Sequence, residues 1–167
     1  MVDIGHAWNY LCVYTDDLAA AMDNPKAFFE LLQREPHNYK LKGVGPITYH
    51  LGADFGRDPD GTLYMSARSY IKRMMINFET MFEGEKLKTQ TAPLEKGDHP
   101  ELDVSEILDY DGIKKYQSMI RALLWVISLG RFDIFFAVMT LGRFRIEPKK
   151  GHLERLKCIY GYLKRYP

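Results

Sequence analysis

Tyr10-Leu11-Cys12-Val13-Tyr14-Thr15-Asp16-Asp17-Leu18-Ala19-Ala20-Ala21-Met22 is the stretch on which the reading of this chain turns. Two strand-length apolar runs flank a short polar break, the pattern of an antiparallel hairpin. Asp is a favoured turn residue, so the break reads first as a solvated acidic turn. Adjacent carboxylates also repel and raise each other's pKa. A bound divalent cation would remove that cost, so the same residues also read as part of a metal site. Spacing alone leaves both readings open, with the solvated turn the favoured one.

Downstream, Asp23-Asn24-Pro25 is a helix start, with a capping side chain before Pro at the first helical position. Phe28, Leu31 and Leu32 fall on one face, and Glu35-Pro36 stops the helix. A short basic, glycine-rich passage carries Lys40 and Lys42. Residues 47–55 then read as a strand, 57–61 as a turn and 62–65 as the returning strand. Gly52 inside the first of these strands marks a bulge or a close backbone approach.

The second half reads as helical. Ser66 or Ser69 is placed to cap a helix whose apolar face is Tyr70, Ile71, Met74, Met75, Phe78, Met81 and Phe82, a stripe expected to be core. Residues 83–100 read as a loop, followed by an acidic linker reaching Gly112. A long helix is expected from Ile113, with Tyr116, Met119, Ile120, Leu123, Leu124, Ile127 and Ser128 in helical spacing. Leu129-Gly130-Arg131 ends it, and Ile134, Phe135, Val138 and Leu141 begin another. The last helix carries Leu153, Leu156, Ile159, Tyr160 and Leu163 on one side, with Arg155, Lys157, Lys164 and Arg165 around the others.

Composition narrows the classes. The chain has 167 residues, 46% of them hydrophobic, and a net charge of +1. That suits one domain or two small ones and argues against global disorder. Charge is nonetheless segregated: residues 98–111 hold six acidic side chains and no Lys or Arg, whereas residues 143–165 hold eight Lys and Arg against two Glu. Cys12 and Cys158 form no Cys-x-x-Cys pair, which speaks against zinc, and they read as reduced core residues of an intracellular protein. No signal-peptide pattern is evident, and the apolar run 122–130 is too short to span a bilayer.

Taken in order, these pieces resemble a known family. Tyr14-Thr15-Asp16-Asp17 on a strand–turn–strand is similar to the Tyr-x-Asp-Asp box of reverse transcriptases. His50-Leu51-Gly52-Ala53-Asp54-Phe55 and Ser66-Ala67-Arg68-Ser69-Tyr70-Ile71 resemble the copia-type retrotransposon branch. So do Thr91-Ala92-Pro93-Leu94, Tyr116-Gln117-Ser118-Met119-Ile120 with Trp125, Arg131 to Val138, and His152 to Lys157 with Tyr162-Leu163-Lys164. The resemblance covers essentially the whole chain.

It implies an α+β fold: a partial reverse-transcriptase palm of two β-hairpins and a helix, then a mostly helical thumb- and connection-like region. The implied divisions are palm over 1–65, a thumb-like helix and loop over 66–95, and an acidic linker with helical connection over 96–167. It implies Mg²⁺-dependent nucleotidyl transfer in the parent enzyme, with Asp16 and Asp17 as catalytic metal ligands. Tyr14 and Thr15 would lie at the active-site surface, Leu51 and Gly52 in a primer-grip-like hairpin, and Lys42 near the leaving pyrophosphate. Arg155, Lys157, Lys164 and Arg165 are candidate phosphate contacts.

The implied partners are an RNA template, a DNA primer and the remainder of a Pol polyprotein, including fingers and ribonuclease H. No membrane partner is expected, and the implied location is the cytoplasm or virus-like particles. The family's other metal-binding aspartate lies well upstream of its box, and only thirteen residues precede Tyr14. A fragment inactive on its own is therefore expected. The alternatives are a non-catalytic nucleic-acid-binding or interaction module, or a degenerate product. Three residues depart from the family pattern. Thr15 replaces an aliphatic residue, at small expected cost because Thr suits a strand. Arg121 replaces Gly and is expected to clash or bury charge unless it snorkels. Phe132 replaces Pro.

Overall fold

The computed structural model describes residues 8–167. It is α+β, and it divides into two compact units, one ending at His50 and the other running from Leu51 to Pro167.

The first unit contains the expected hairpin. Strands β1 (Tyr10–Tyr14) and β2 (Asp17–Ala21) pair antiparallel, with Tyr14 opposite Asp17 and Tyr10 opposite Ala21. Helix α1 (Pro25–Gln33) follows, and the Asn24 side chain accepts a 3.1 Å hydrogen bond from the Ala27 amide. That bond satisfies one of the orphan donors of the first turn. Arg34 ends the helix in extended geometry, two residues before Pro36. Tyr49–His50 form a two-residue strand, β3. None of the described residues of this unit is buried. Cys12, expected in a core, is exposed, because β1 has no layer packed on it within the unit.

The second unit owns the core. Strands β4 (Ala53–Arg57) and β5 (Leu63–Ser66) form the second hairpin. The strand expected over 47–55 is interrupted, because Leu51 (φ 50°) and Gly52 (φ 94°) form a left-handed turn before β4. Helix α2 (Arg68–Met81) packs on β4 and buries Ile71, Met74 and Phe78. Its cap position is Ala67, not a serine. The Asp54 carboxylate on β4 reaches across and accepts from the Ser69 amide at 2.8 Å, while Ser66 Oγ accepts from the Arg68 amide. A local and a tertiary acceptor thus share the first turn, Ser66 taking the Arg68 amide and Asp54 the Ser69 amide.

Helix α3 (Tyr110–Ser128) starts earlier than periodicity suggests, because Asp109 caps it through the Gly112 amide at 2.8 Å. It buries Tyr116, Met119, Ile120, Leu123, Val126 and Ile127. Leu124 and Ser128, expected on that face, are exposed. Arg121 is exposed too, so no charge is buried there, and its Nε donates to the Gln117 carbonyl. A 3-10 turn, Phe132–Ile134, leads into α4 (Phe135–Gly142), whose Ala137, Val138 and Leu141 enter the core. Helix α5 (Lys150–Arg165) buries Leu153, Leu156, Ile159, Tyr160 and Leu163, as its sequence stripe predicts. Each such side chain contributes about 1.5–3 kcal/mol of burial, and α2, α3, α4 and α5 converge on that one core.

The acidic segment is not a free linker. Leu108 donates its amide to the Pro148 carbonyl and Lys150 to the Glu106 carbonyl, each at 2.9 Å, and Ile107 bridges Lys149 antiparallel. Residues 103–108 therefore lie as a strap along the entry to α5. No helix among the described residues is long and apolar enough to cross a membrane.

Candidate functional site

The acidic pair occupies the tip of the β1–β2 hairpin. Thr15 and Asp16 make the two-residue turn, and Asp17 is the first residue of β2. Thr15 takes φ 52°, the left-handed region, whereas Asp16 does not. A two-residue hairpin loop needs a positive φ to match the strand twist, and Gly or Asn usually supplies it. Thr15 is thus in the turn rather than in a strand, and the small expected cost is corrected. A β-branched residue there is strained by roughly 1–3 kcal/mol.

Asp16, Asp17 and Tyr14 are all exposed. Carboxylate oxygens are hard donors of the kind Mg²⁺ takes together with waters and substrate phosphates. Among the described residues, no group of three or more His, Cys, Asp and Glu side chains comes together. The pair therefore fits a metal as part of a larger donor set, not as a cage of its own. Lys42 is exposed on the segment between α1 and β3.

Leu51 and Gly52 belong to the other unit. A Cβ on Gly52 would lie 2.9 Å from Trp125 Nε1, 3.4 Å from Tyr70 and 3.5 Å from Leu129. Glycine here answers two demands at once, a positive φ and the close approach of α3. The close backbone approach read from the sequence is present, and its partner is an indole.

The cations of α5 are drawn into the protein. Arg155 Nε and Nη2 donate to the two oxygens of Asp98 at 2.7 and 2.9 Å, and its Nη1 donates to Asp103 at 2.6 Å. Asp103 also accepts from the Ser105 hydroxyl and amide, and the Ser105 hydroxyl in turn accepts from the Gly151 amide. The Ser105 hydroxyl, with the Arg155 guanidinium behind it, holds the Asp103 carboxyl down to about 2. Arg155 lowers Asp98 and is itself raised, chiefly by its bond to Asp98. Lys157 pairs with Glu85 and Glu154. Lys164 donates to the Leu87 carbonyl at 3.5 Å, and Arg165 lies over the Tyr166 ring.

Other members of this network escaped the sequence reading. His152 is buried, with Nδ1 accepting from the Lys149 amide and Nε2 facing the Pro100 carbonyl at 2.9 Å, under the Phe144 ring. A carbonyl only accepts, so Nε2 carries the hydrogen. Lys149 Nζ donates to the Asp103 carbonyl. The one sequence signal for these contacts is charge segregation, an acidic run and a basic run of opposite sign.

Comparison with known proteins gives the class first: the chain's homologues are Ty5/copia-type retrotransposon Pol proteins. It is 30% identical over 156 residues to a transposon Ty5-1 protein of Saccharomyces cerevisiae, covering 92% of this chain and 48% of that protein. It is 28% identical over 163 residues to the retrovirus-related Pol polyprotein from transposon RE1 of Arabidopsis thaliana, covering 95% of this chain and 10% of the polyprotein. With the Pol polyprotein from transposon TNT 1-94 of Nicotiana tabacum it shares 26% over 167 residues, 12% of that polyprotein. The chain thus spans about half of the first relative and roughly a tenth of the polyproteins. No protein-family profile and no solved structure matches it.

Proposed function

We propose that this chain is a piece of a copia-type RNA-directed DNA polymerase. Residues 1–65 correspond to the end of the palm, 66–95 to a thumb-like helix and loop, and 96–167 to a connection-like region. The observation that carries the reading is the Asp16-Asp17 pair at the tip of a two-residue hairpin turn, within a chain that aligns over nearly its whole length with Pol polyproteins.

In the parent enzyme, Asp16 and Asp17 would hold Mg²⁺ with a third carboxylate from outside these residues. The metal would supply charge neutralisation at the phosphoryl group and alignment of the attacking hydroxyl. Tyr14, on the strand before the turn, and Thr15, within it, set the direction in which the two carboxylates point. Leu51 and Gly52 would face the primer terminus, and Lys42 the departing pyrophosphate. The template, the primer and the rest of the polyprotein are the partners this assigns. Lys164 and Arg165, which make no ion pair among the described residues, are better placed for phosphate than Arg155 and Lys157.

Two measurements test this. The purified chain with Mg²⁺, a primed RNA template and nucleotides should show no primer extension, and extension by the chain alone refutes its inactivity in isolation. Grafted in place of the matching segment of an active copia-type polymerase, the chain should support extension that Asp16→Asn abolishes. A folded, active graft indifferent to Asp16→Asn removes the metal-ligand role.

A further inference from the structure

We infer that the outer face of the Phe132–Gly142 segment is a self-association surface that pairs two copies of this chain antiparallel about a two-fold axis. Helix α4 is apolar on almost every side. A helix of that kind is normally buried all round, yet only its Ile134, Ala137, Val138 and Leu141 side enters the core. The opposite side leaves Phe132 71%, Phe135 51%, Phe136 77% and Met139 49% exposed. These four follow the i, i+3, i+4, i+7 spacing of one helical stripe. Phe132 enters it from the 3-10 turn.

From Phe132 to Met139 the face is also free of unpaired charge, and the exposed Arg143 stands one turn further on at its C-terminal end. Arg131 and Asp133, which flank Phe132, are joined to each other at 3.0 and 2.8 Å, and Arg131 is further tied to the Tyr166 carbonyl. Between Phe132 and Met139 no free cation is presented to a phosphate backbone, so this part of the face suits an apolar partner better than nucleic acid. Given that an aromatic side chain buries about 150–250 Å², the stripe offers on the order of 500 Å² per copy. Two copies together would bury roughly 1,000 Å², the size at which specific interfaces separate from packing contacts.

Shape decides for a second copy of the same chain. The stripe is bulky at its N-terminal end and closes at i+10 and i+11 on Gly142, where a Cβ would meet no atom within 4 Å, and on the exposed Arg143. Antiparallel pairing sets Phe132 of each copy over the gap at Gly142 of its mate. It sets Phe135 against Met139, a favourable sulfur–aromatic contact, and brings the two Phe136 rings together near the axis. A two-fold interface must be self-complementary in this way, whereas parallel pairing would oppose bulk to bulk and gap to gap.

The test is sedimentation velocity on the full chain from about 1 to about 100 μM. The wild type should pass from monomer to dimer, and Phe136→Asp should stay monomeric with an unchanged thermal melt. Phe136→Ser serves if the Asp variant fails to fold, and should shift dimerisation at least tenfold upward. In a Cys12→Ser background, oxidation of a mixture of Phe132→Cys and Gly142→Cys chains should yield the mixed disulfide in preference to either self-linked product. A wild-type monomer at about 100 μM, a dimer that survives loss of Phe136, or preferential self-linking would each overturn the inference.

Discussion

Arg155→Met gives the most demanding test of the strap along α5. Met keeps the length of the apolar stem and removes only the guanidinium. Its two carboxylate partners are well covered, with side-chain exposures of 17% for Asp98 and 9% for Asp103, against 24% for Arg155. Removing one member of a buried ion pair costs about 3–5 kcal/mol, because the remaining charge keeps its desolvation penalty. The partial exposure here, and the Ser105 bonds that Asp103 retains, bring the expectation to about 3 kcal/mol.

The pH dependence gives a second reading of the same contact. Asp103 titrates at about 2 in the folded chain against a normal value of 3.8. Its folded pKa is depressed, so the stability it contributes is full above about pH 4 and is lost as pH falls toward 2, in all about 2 kcal/mol. Asp98 is lowered first of all by Arg155, so its share of the acid limb should vanish in Arg155→Met. Most of the Asp103 share should persist, because the Ser105 hydroxyl is its largest cause. Urea unfolding followed by circular dichroism at pH 7, and in steps from pH 5 to 2, measures both. A loss below about 0.5 kcal/mol at pH 7, with an acid limb matching the wild type, would refute the clasp.

Gly161→Ala should destabilise by about 3 kcal/mol or unfold the second unit, because its Cβ would collide with the backbone carbonyl of Lys88, which cannot rotate away. A thermal melt decides this, and a change of less than 1 °C would contradict the packing of the 87–90 loop on α5. Gly52→Ala should cost about 2 kcal/mol through its left-handed φ together with the collision at Trp125, and indole fluorescence should shift as the ring moves. Tyr116→Phe removes the buried 2.7 Å bond to the Leu141 carbonyl and should cost about 1–2 kcal/mol in urea unfolding. Thr15→Gly should stabilise the hairpin by about 1 kcal/mol by relieving the positive φ, read as slower amide exchange across β1 and β2.

Local pattern carried much of the reading. The stripe Leu153, Leu156, Ile159, Tyr160 and Leu163 is buried on α5 as read, because a 3.6-residue period shows which side must leave water, although the buried His152 and Gly161 lay outside it. The β1–β2 hairpin and the Asn24 cap were equally legible, since each depends on residues a few positions apart. Failures came where the answer lay far along the chain. The cap position is Ala67, and although Ser66 does accept from the Arg68 amide, the acceptor for the Ser69 amide comes from Asp54 on another element. Phe135 fits the α4 period, but burial of one side over the other depends on where α3 and α5 stand.

What the sequence determined by itself is the order of elements, the α+β class, the acidic hairpin tip and the kinship with copia-type Pol proteins. These follow from periodicity, turn chemistry and ordered motifs, all of them properties of the linear chain. The tertiary structure alone decided what the charged residues do. Arg155, placed by sequence among outward phosphate contacts, is held by Asp98 and Asp103, more than fifty residues away. Charge composition records that such partners exist. Only the path of the backbone brings them within 3 Å, where the guanidinium takes the place of the water each carboxylate gives up.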